Sequence, residues 1–406
     1  MKKIAVVVQR YGGEVVGGAE MQARLLAEKM QSHLGWQVDV LTTTAKEYTT
    51  WKNFYPEGRS ELHSVNVHRF DSFWGRSLFL PIYSRFLFLF QKIFLRRLWT
   101  PLQIWFELKF LILQGPVNFK LSRYIKQHRD DYDAWVFFTY LYLPTVWGIS
   151  LVQSKVQSRP IILVPEAHDE PAFYFSLFKS MFQKASHIFV NSVSEKELME
   201  GRIGKSDKIQ IVGLGFDENY DQEGEEEVLA LDPPYVLYFG RISRGKKIDE
   251  LIQFFHSFLE SSPFKNVNLY LAGHVEEGVV LPQQGNIRYL GHLSESDKSI
   301  TIRQALCLVN PSPLESLSMV VLEAVMLKKP VLVNQECSVF RYYESVMPSV
   351  YGYRDDFNAK LSFIAERNWR DDSAQKDLGE SQRWVREHYS WEKILRDYQK
   401  VLGDPF

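Results

Sequence analysis

Cysteine, net charge and long apolar runs are all scarce in this 406-residue chain. Its two cysteines, Cys307 and Cys337, each sit beside an apolar run and read as two buried free thiols, with a single bridge between them as the alternative. A formal net charge of −1 gives no global attraction to nucleic acid, and no nucleic-acid partner is expected. No segment offers about 18 uninterrupted apolar residues, so a spanning helix is not expected. The opening Met1-Lys2-Lys3 and Ile4 to Val8 resembles a secretion signal only superficially. Its apolar run is short and leads into Gln9-Arg10-Tyr11-Gly12-Gly13 with no cleavage site, so a first β-strand and a cytoplasmic location are expected. No strand leads into Gly-x-Gly-x-x-Gly, which makes a Rossmann dehydrogenase a poor reading.

What is present points to a large α/β protein. The length is long for one core, and 45% hydrophobic with 24% charged residues suits two well-buried domains. Short β-branched runs recur, each followed by a helix-like stretch: Ile4–Val8, Val38–Thr43, Ala134–Phe138, Ile161–Val164 and His187–Asn191. A second series comprises Ile209–Val212, Tyr235–Phe239, Asn268–Leu271, Ile287–Leu290, Leu306–Val309 and Val331–Asn334. Continuous apolar strands alternating with helices predict parallel sheets covered on both faces. Between the series lie the acidic run Glu225-Glu226-Glu227 and then Asp232-Pro233-Pro234, which read as an interdomain connection. The boundary is placed near Gly213 to Asp217. The expected lobes are residues 1–213, residues 214–380, and a terminal helix from 381 to 406 that crosses back to the first. Ligands of such sheets bind at the strands' carboxyl ends.

Two motifs there carry chemistry. A strand ends in Tyr238-Phe239-Gly240-Arg241, and Arg244-Gly245-Lys246-Lys247 follows. Gly240 permits a tight turn, and a guanidinium and an ammonium above a strand end suit a diphosphate, one as a fork and one as a point charge. Taken alone, a solvated basic loop looks the same. Further on, Asn310-Pro311-Ser312-Pro313-Leu314-Glu315-Ser316-Leu317-Ser318-Met319-Val320 leads from a strand into a helix, with Glu323 eight residues beyond Glu315. A helix start offers unpaired amides to an anion, and ionised carboxylates accept from sugar hydroxyls. Glu315 can therefore hold a hexose and Glu323 a ribose diol. A helix cap and a surface residue are the plain alternatives for the pair.

In this order, Gly-Arg…Lys followed by Pro-Ser-x-x-Glu and a second Glu, the chain resembles the family-4 retaining glycosyltransferases of GT-B fold, in which two Rossmann-like doubly wound parallel-sheet lobes face across a cleft. The resemblance covers nearly the whole length. It implies that Arg241 and Lys246 neutralise the donor diphosphate, that Glu315 contacts the transferred sugar, and that Glu323 holds the ribose. The backbone of Ser316, Leu317, Ser318, Met319 and Val320 would contact sugar and phosphate, and backbone around Gly291, His292 and Leu293 would read the base. It further implies retention of configuration, uridine diphosphate with glucose or a related hexose as donor, and no metal or other cofactor. No Asp-x-Asp motif or His/Cys cluster of ligand spacing is placed at the site. The sequence departs from the family where Gly-Phe-Gly becomes Ser316-Leu317-Ser318, which narrows the approach to the sugar. It departs again where the glycine after the phosphate lysine becomes Lys247, which leaves open which lysine reaches the diphosphate.

The first half matches too. Gly17-Gly18-Ala19-Glu20 precedes the helix-like Met21–Ser32, and the resemblance implies a loop closing over donor phosphates and acceptor; a plain strand-to-helix turn would look alike. In Val164-Pro165-Glu166-Ala167-His168-Asp169-Glu170-Pro171 the resemblance makes His168 the residue that helps orient the donor sugar, with Asp169 and Glu170 as candidates either to support it from behind or to face the acceptor. Asn191-Ser192 also matches, as scaffolding.

Residues 73–113 are unusual: aromatic throughout, with Arg76, Arg85, Lys92, Arg96, Arg97 and Lys109 against one acid, Glu107. Basic helices rich in Trp and Phe suit anionic bilayer surfaces. Two readings stay open and are compatible: docking to the inner membrane face to reach a lipid-linked acceptor, or completion of the first lobe's core. The expected function is hexose transfer from a nucleotide diphosphate sugar to a polysaccharide or lipid-linked glycan. An epimerase or phosphorylase on the same fold, or a nucleotide-binding membrane scaffold without turnover, is the alternative.

Overall fold

A computed structural model describes residues 1–15, 17–90, 100–153, 159–217, 220, 231–232, 234–276, 278–282 and 285–403. Of the aromatic, basic segment, Lys92, Phe94, Arg96, Arg97 and Trp99 lie outside the described residues, as does the acidic run at 225–227. The chain divides into two compact units, Met1–Leu214 with Trp391–Phe406, and Gly215–Ser390.

The first unit holds an eight-stranded sheet. In chain order its elements are β1 (Lys3–Val7), α1 (Gly18–Leu34), β2 (Gln37–Thr43), β3 (Gly58–Leu62), β4 (Val65–Phe70), α2 (Leu80–Phe90), α3 (Thr100–Gln114), α4 (Phe119–His128), β5 (Ala134–Phe138), α5 (Leu143–Gln153), β6 (Ile161–Val164), α6 (Ser176–Lys184), β7 (His187–Val190), α7 (Val193–Ile203) and β8 (Ile209–Ile211). The spatial order is β3-β4-β2-β1-β5-β6-β7-β8, parallel except for the β3–β4 pair. The centre is apolar because it is covered on both faces: every residue of β1 after Lys3, and all of β5, is buried. Ile209–Ile211 pairs with β7 and so closes this sheet rather than opening the second series. The hairpin β3–β4 has no counterpart among the expected strands. Its outer strand, Gly-Arg-Ser-Glu-Leu, is polar and almost wholly exposed, as an edge strand can be, and so lacks the apolar signal used to find the others.

The second unit holds β9 (Tyr235–Phe239), α8 (Ile248–Ser261), β10 (Asn268–Ala272), β11 (Ile287–Gly291), α9 (Glu295–Gln304), β12 (Cys307–Asn310), α10 (Met319–Met326), β13 (Val331–Asn334), α11 (Ser338–Val346), β14 (Val350–Tyr353), α12 (Phe357–Glu366) and α13 (Asp372–His388). The six strands are all parallel, in the order β11-β10-β9-β12-β13-β14. The order reverses between β9 and β12, so the loops after these two strands emerge side by side, the usual ligand position of such a sheet. Both cysteines are free and buried, and burial pushes the Cys307 thiol up to about 12.

The helical pattern expected from Trp384 to Leu402 is broken at Tyr389-Ser390. The break lies where the returning chain meets the outgoing one: Phe216 N donates to Tyr389 O at 2.7 Å, and Phe216 bridges Ser390. Beyond it, α14 (Trp391–Leu402) packs within the first unit. Its buried stripe Trp391, Ile394, Leu395, Tyr398 and Leu402 follows helical spacing, and Tyr398 sets its ring edge-on to Phe189 at 4.8 Å. Among the described residues no helix is long and apolar enough to cross a membrane.

Candidate functional site

Three parallel strands of the second unit end in glycines whose backbones interlock. Gly240, at φ +150° after β9, donates to Ala272 O at 3.0 Å, and Gly273 donates to Gly291 O at 2.8 Å. A Cβ on Gly273 would stand 2.0 Å from Gly240 O, so only glycine fits there. This contact sets the direction in which the chain leaves β9 towards Arg241, which is half-buried and whose carbonyl accepts from Tyr238 Oη at 2.6 Å.

A short 3-10 turn, Arg244–Lys246, follows, capped by Ser243, whose hydroxyl accepts from Lys246 N at 3.3 Å. Lys247 then takes a left-handed backbone, φ +57°. The turn sends two consecutive lysines to different partners. Lys246 Nζ reaches Glu315 Oε1 at 2.6 Å and Ser312 Oγ at 3.2 Å, whereas Lys247 Nζ pairs with Glu250 at 3.0 Å and Glu336 at 2.8 Å. The geometry therefore joins Lys246, not Lys247, to Glu315.

The loop after β12 is pinned by buried polar side chains. Asn310 Oδ1 accepts from Ser312 N, and Asn310 Nδ2 donates to Ser318 Oγ, each at 3.0 Å. Asn334 Nδ2 donates to Pro311 O at 2.9 Å, and Tyr343 Oη donates to Leu317 O at 2.8 Å. Ser318 is left-handed at φ +60° and ends the loop, and α10 starts at Met319 without a side-chain cap. Glu315 thus does not cap the helix. Its side chain is 16% exposed and that of Lys246 is 29%, a pair still open to a ligand. Ser316, Met319 and Val320 are half-buried and Leu317 is buried. His292 is exposed and Leu293 half-buried, on the turn between Gly291 and the α9 cap Ser294.

Glu323 is not a surface residue. It is 4% exposed, and its Oε1 accepts from Lys298 Nζ at 2.9 Å. Lys298, on α9, is itself buried, also pairs with Glu295 at 2.5 Å, and lies 5.6 Å from the centre of the Phe239 ring at the end of β9. Burial opposes the Lys298 ammonium, yet Glu323 and Glu295 outweigh it and hold its pKa above the ordinary range. The sequence reading missed Lys298. Its one signal is a lysine amid Ile300, Thr301 and Ile302, where a helix turns inward.

Gly17, Gly18 and His168 belong to the first unit. Gly17 caps α1, and a Cβ there would meet Glu20 Oε2 at 2.1 Å. Glu20 is locked to Arg10 Nη2 at 2.5 Å, so this ion pair accounts for the glycine without a ligand, while Gly18 has open space around its Cα. His168 is half-buried in the loop after β6. Its neighbours are tethered: Tyr140 Oη donates to Glu170 at 2.6 Å and Tyr174 Oη to Asp169 at 2.8 Å. Beneath them Glu195, fully buried in the first turn of α7, accepts from Ala167 N at 2.5 Å and Asn191 N at 2.7 Å. Burial, and then the charge of Glu166, raise the Glu195 pKa to about 8. The sequence reading passed over Glu195, although Ser192-x-x-Glu195 has capping-box spacing and Ser192 Oγ does accept from Glu195 N at 3.2 Å.

Residues 219–345 match the family of glycosyl transferases group 1. No curated protein matches the sequence. Among solved structures, a sucrose-phosphate synthase from Thermosynechococcus elongatus is similar with TM-score 0.67 at 16% identity, covering 99% of this chain and 98% of that one. HepE of Anabaena, in complex with UDP and glucose, is similar with TM-score 0.66 at 16% identity, each chain covered at 100%. A trehalose-6-phosphate protein from E. coli bound with UDP-2-fluoro glucose gives TM-score 0.67 at 10% identity, covering 99% of both chains. The fold is GT-B, two Rossmann-like parallel-sheet units, and with its group 1 segment the chain is a glycosyltransferase enzyme.

Proposed function

We propose that this enzyme is a retaining hexosyltransferase that takes a hexose from a uridine diphosphate sugar, glucose or a close relative, and delivers it to a polysaccharide or its lipid-linked precursor at the inner membrane face. The observation that carries the reading is the 2.6 Å contact of Lys246 with Glu315, on adjoining loops at the reversal point of the second sheet and inside the group 1 segment. HepE, similar over its whole length, is bound to UDP and glucose, which supports the donor class.

Without donor, cation and carboxylate neutralise each other. An arriving diphosphate offers Lys246 a stronger anion, with Arg241 five residues earlier on the same loop and the first amides of α10 adding partial positive charge. Glu315 is then released to accept from hexose hydroxyls, so donor recognition is an exchange of partners at one ammonium. Glu323, held by Lys298 through Oε1, keeps Oε2 for the ribose diol. Bond breaking places charge on the diphosphate, where fixed cations stabilise it most, typically by about 3–4 kcal/mol per donor removed. The acceptor hydroxyl attacks from the face the diphosphate leaves, and the departing phosphate takes its proton. No metal enters this scheme. Thermal-shift titration with a panel of nucleotide sugars, followed by NMR of the anomeric product, tests it. Stabilisation by UDP-glucose and an α-linked product are expected, and no shift with any donor, or an inverted product, refutes it.

A further inference from the structure

Most of the large apolar side chains exposed among the described residues fall between Phe73 and Phe119, around helices α2 and α3. Both helices carry apolar side chains towards the core and towards solvent. Leu80 and Leu87 of α2, and Phe110 and Leu111 of α3, face the core of the first unit. On the other side Ile82 is 70% exposed, and Leu78 and Phe79 just ahead of α2 are 93% and 72% exposed. Leu89, Trp105 and Ile112 are exposed as well. The two helices are packed together, with Tyr83 Oη donating to Phe106 O at 2.9 Å. Apolar side chains clustered in this way are suited to burial, and here Ile82, Leu89, Trp105 and Ile112 are left open.

Charge decides what can cover it. Arg85 and Lys109 are exposed on the same helices, the Lys109 ammonium lying over the rings of Tyr83 and Trp105. Glu107, the one acid between Phe73 and Leu113, is turned inward: it is fully buried and accepts from Ser176 N at 3.0 Å and Leu177 N at 2.9 Å at the start of α6. Among the described residues of the two helices, Arg85 and Lys109 therefore stand outward while Glu107 is kept inside. A second copy of the same face would set cations against cations.

We propose that the outer face of α2 and α3 seats the protein on an anionic lipid bilayer, with Leu78, Phe79, Ile82 and Leu89 entering the acyl boundary and Arg85 and Lys109 at the headgroups. Long basic side chains and an indole such as that of Trp105 suit that boundary. This deepens the membrane-face location proposed above and is independent of the donor assignment, which thermal shift by UDP-glucose reads separately.

The test is co-sedimentation with phosphatidylglycerol or phosphatidylcholine vesicles. The parent protein should bind phosphatidylglycerol, and roughly tenfold less should bind phosphatidylcholine or remain bound in high salt. Leu78→Ser/Ile82→Ser/Leu89→Ser should lose binding by a similar factor while melting as the parent does, since all three positions are exposed. Arg85→Glu/Lys109→Glu provides a second route should the first variant not fold, and the same loss is expected. Brominated phosphatidylglycerol should quench tryptophan fluorescence less in Trp105→Phe than in the parent. A parent protein that stays in the supernatant with both vesicles overturns the proposal. So does undiminished binding by a folded variant, or a concentration-dependent dimer without vesicle binding.

Discussion

Lys298→Met puts the buried Lys298–Glu323 pair to its hardest test. The Lys298 and Glu323 side chains are 3% and 6% exposed, so removing the cation strands a carboxylate in the interior. Breaking one side of such a pair costs about 3–5 kcal/mol. The second partner, Glu295, is 67% exposed and adds at most about 1 kcal/mol. In a unit the size of Gly215–Ser390, roughly 2–4 °C is lost per kcal/mol, so its transition should fall by roughly 6–20 °C in differential scanning calorimetry. The glutamates hold the Lys298 pKa above its ordinary value against burial, so this stabilisation is fully present at neutral pH and lost only as alkaline pH strips the ammonium.

Lys298→Met/Glu323→Gln removes both charges and should recover most of the loss, because an uncharged buried pair carries no stranded ion. The double variant separates stability from recognition. If Glu323 holds the ribose, both variants should raise the donor KM by more than they lower kcat. A single variant within about 1 kcal/mol of the parent, or a double variant no more stable than the single, would refute the buried pair.

Lys246→Met should lower kcat for donor hydrolysis by about 10²–10³-fold, and adding Glu315→Gln should cost less than Glu315→Gln costs alone, because the two side chains are direct partners; strict additivity in steady-state kinetics would contradict the contact. At Ser318, left-handed at φ +60° and hydrogen-bonded to Asn310, Ser318→Gly trades relief of strain against one lost bond and should melt within about 1 kcal/mol of the parent. Ser318→Ala keeps the strain and loses the bond, so it should be about 1–2 kcal/mol less stable by the same measurement. For Glu195 the folded pKa is raised from 4.5 to about 8, so the folded chain keeps a proton that the unfolded chain releases. Stability of the first unit should therefore fall as pH rises from about 4.5 to about 8 and level off above; Glu195→Gln should flatten that slope in calorimetry, and an unchanged slope would count against the burial of this carboxylate.

Strands such as Ala134–Phe138, Tyr235–Phe239 and Val331–Asn334 were legible to the residue because parallel strands covered on both faces read as unbroken apolar runs. The edge hairpin Gly58–Leu62 with Val65–Phe70 was not, since an exposed strand needs no such run. The site divides along the same line. Glu315 and Lys246 could be singled out because turn residues and a strand end mark their loops locally. Which of Lys246 and Lys247 meets Glu315 depends on the left-handed backbone of Lys247, which a lysine does not advertise. Lys298 was illegible for a stronger reason. A buried lysine is tolerable only beside its carboxylates, and Glu323 lies 25 positions away on another helix, so its role appears only once α9 and α10 stand together. Glu323 was singled out as an acceptor for a ribose; the structure shows it as the counter-ion of Lys298. These roles are compatible only if one oxygen serves each, and a carboxylate fixed by a buried ammonium is better preorganised for a diol than one left to rotate in solvent.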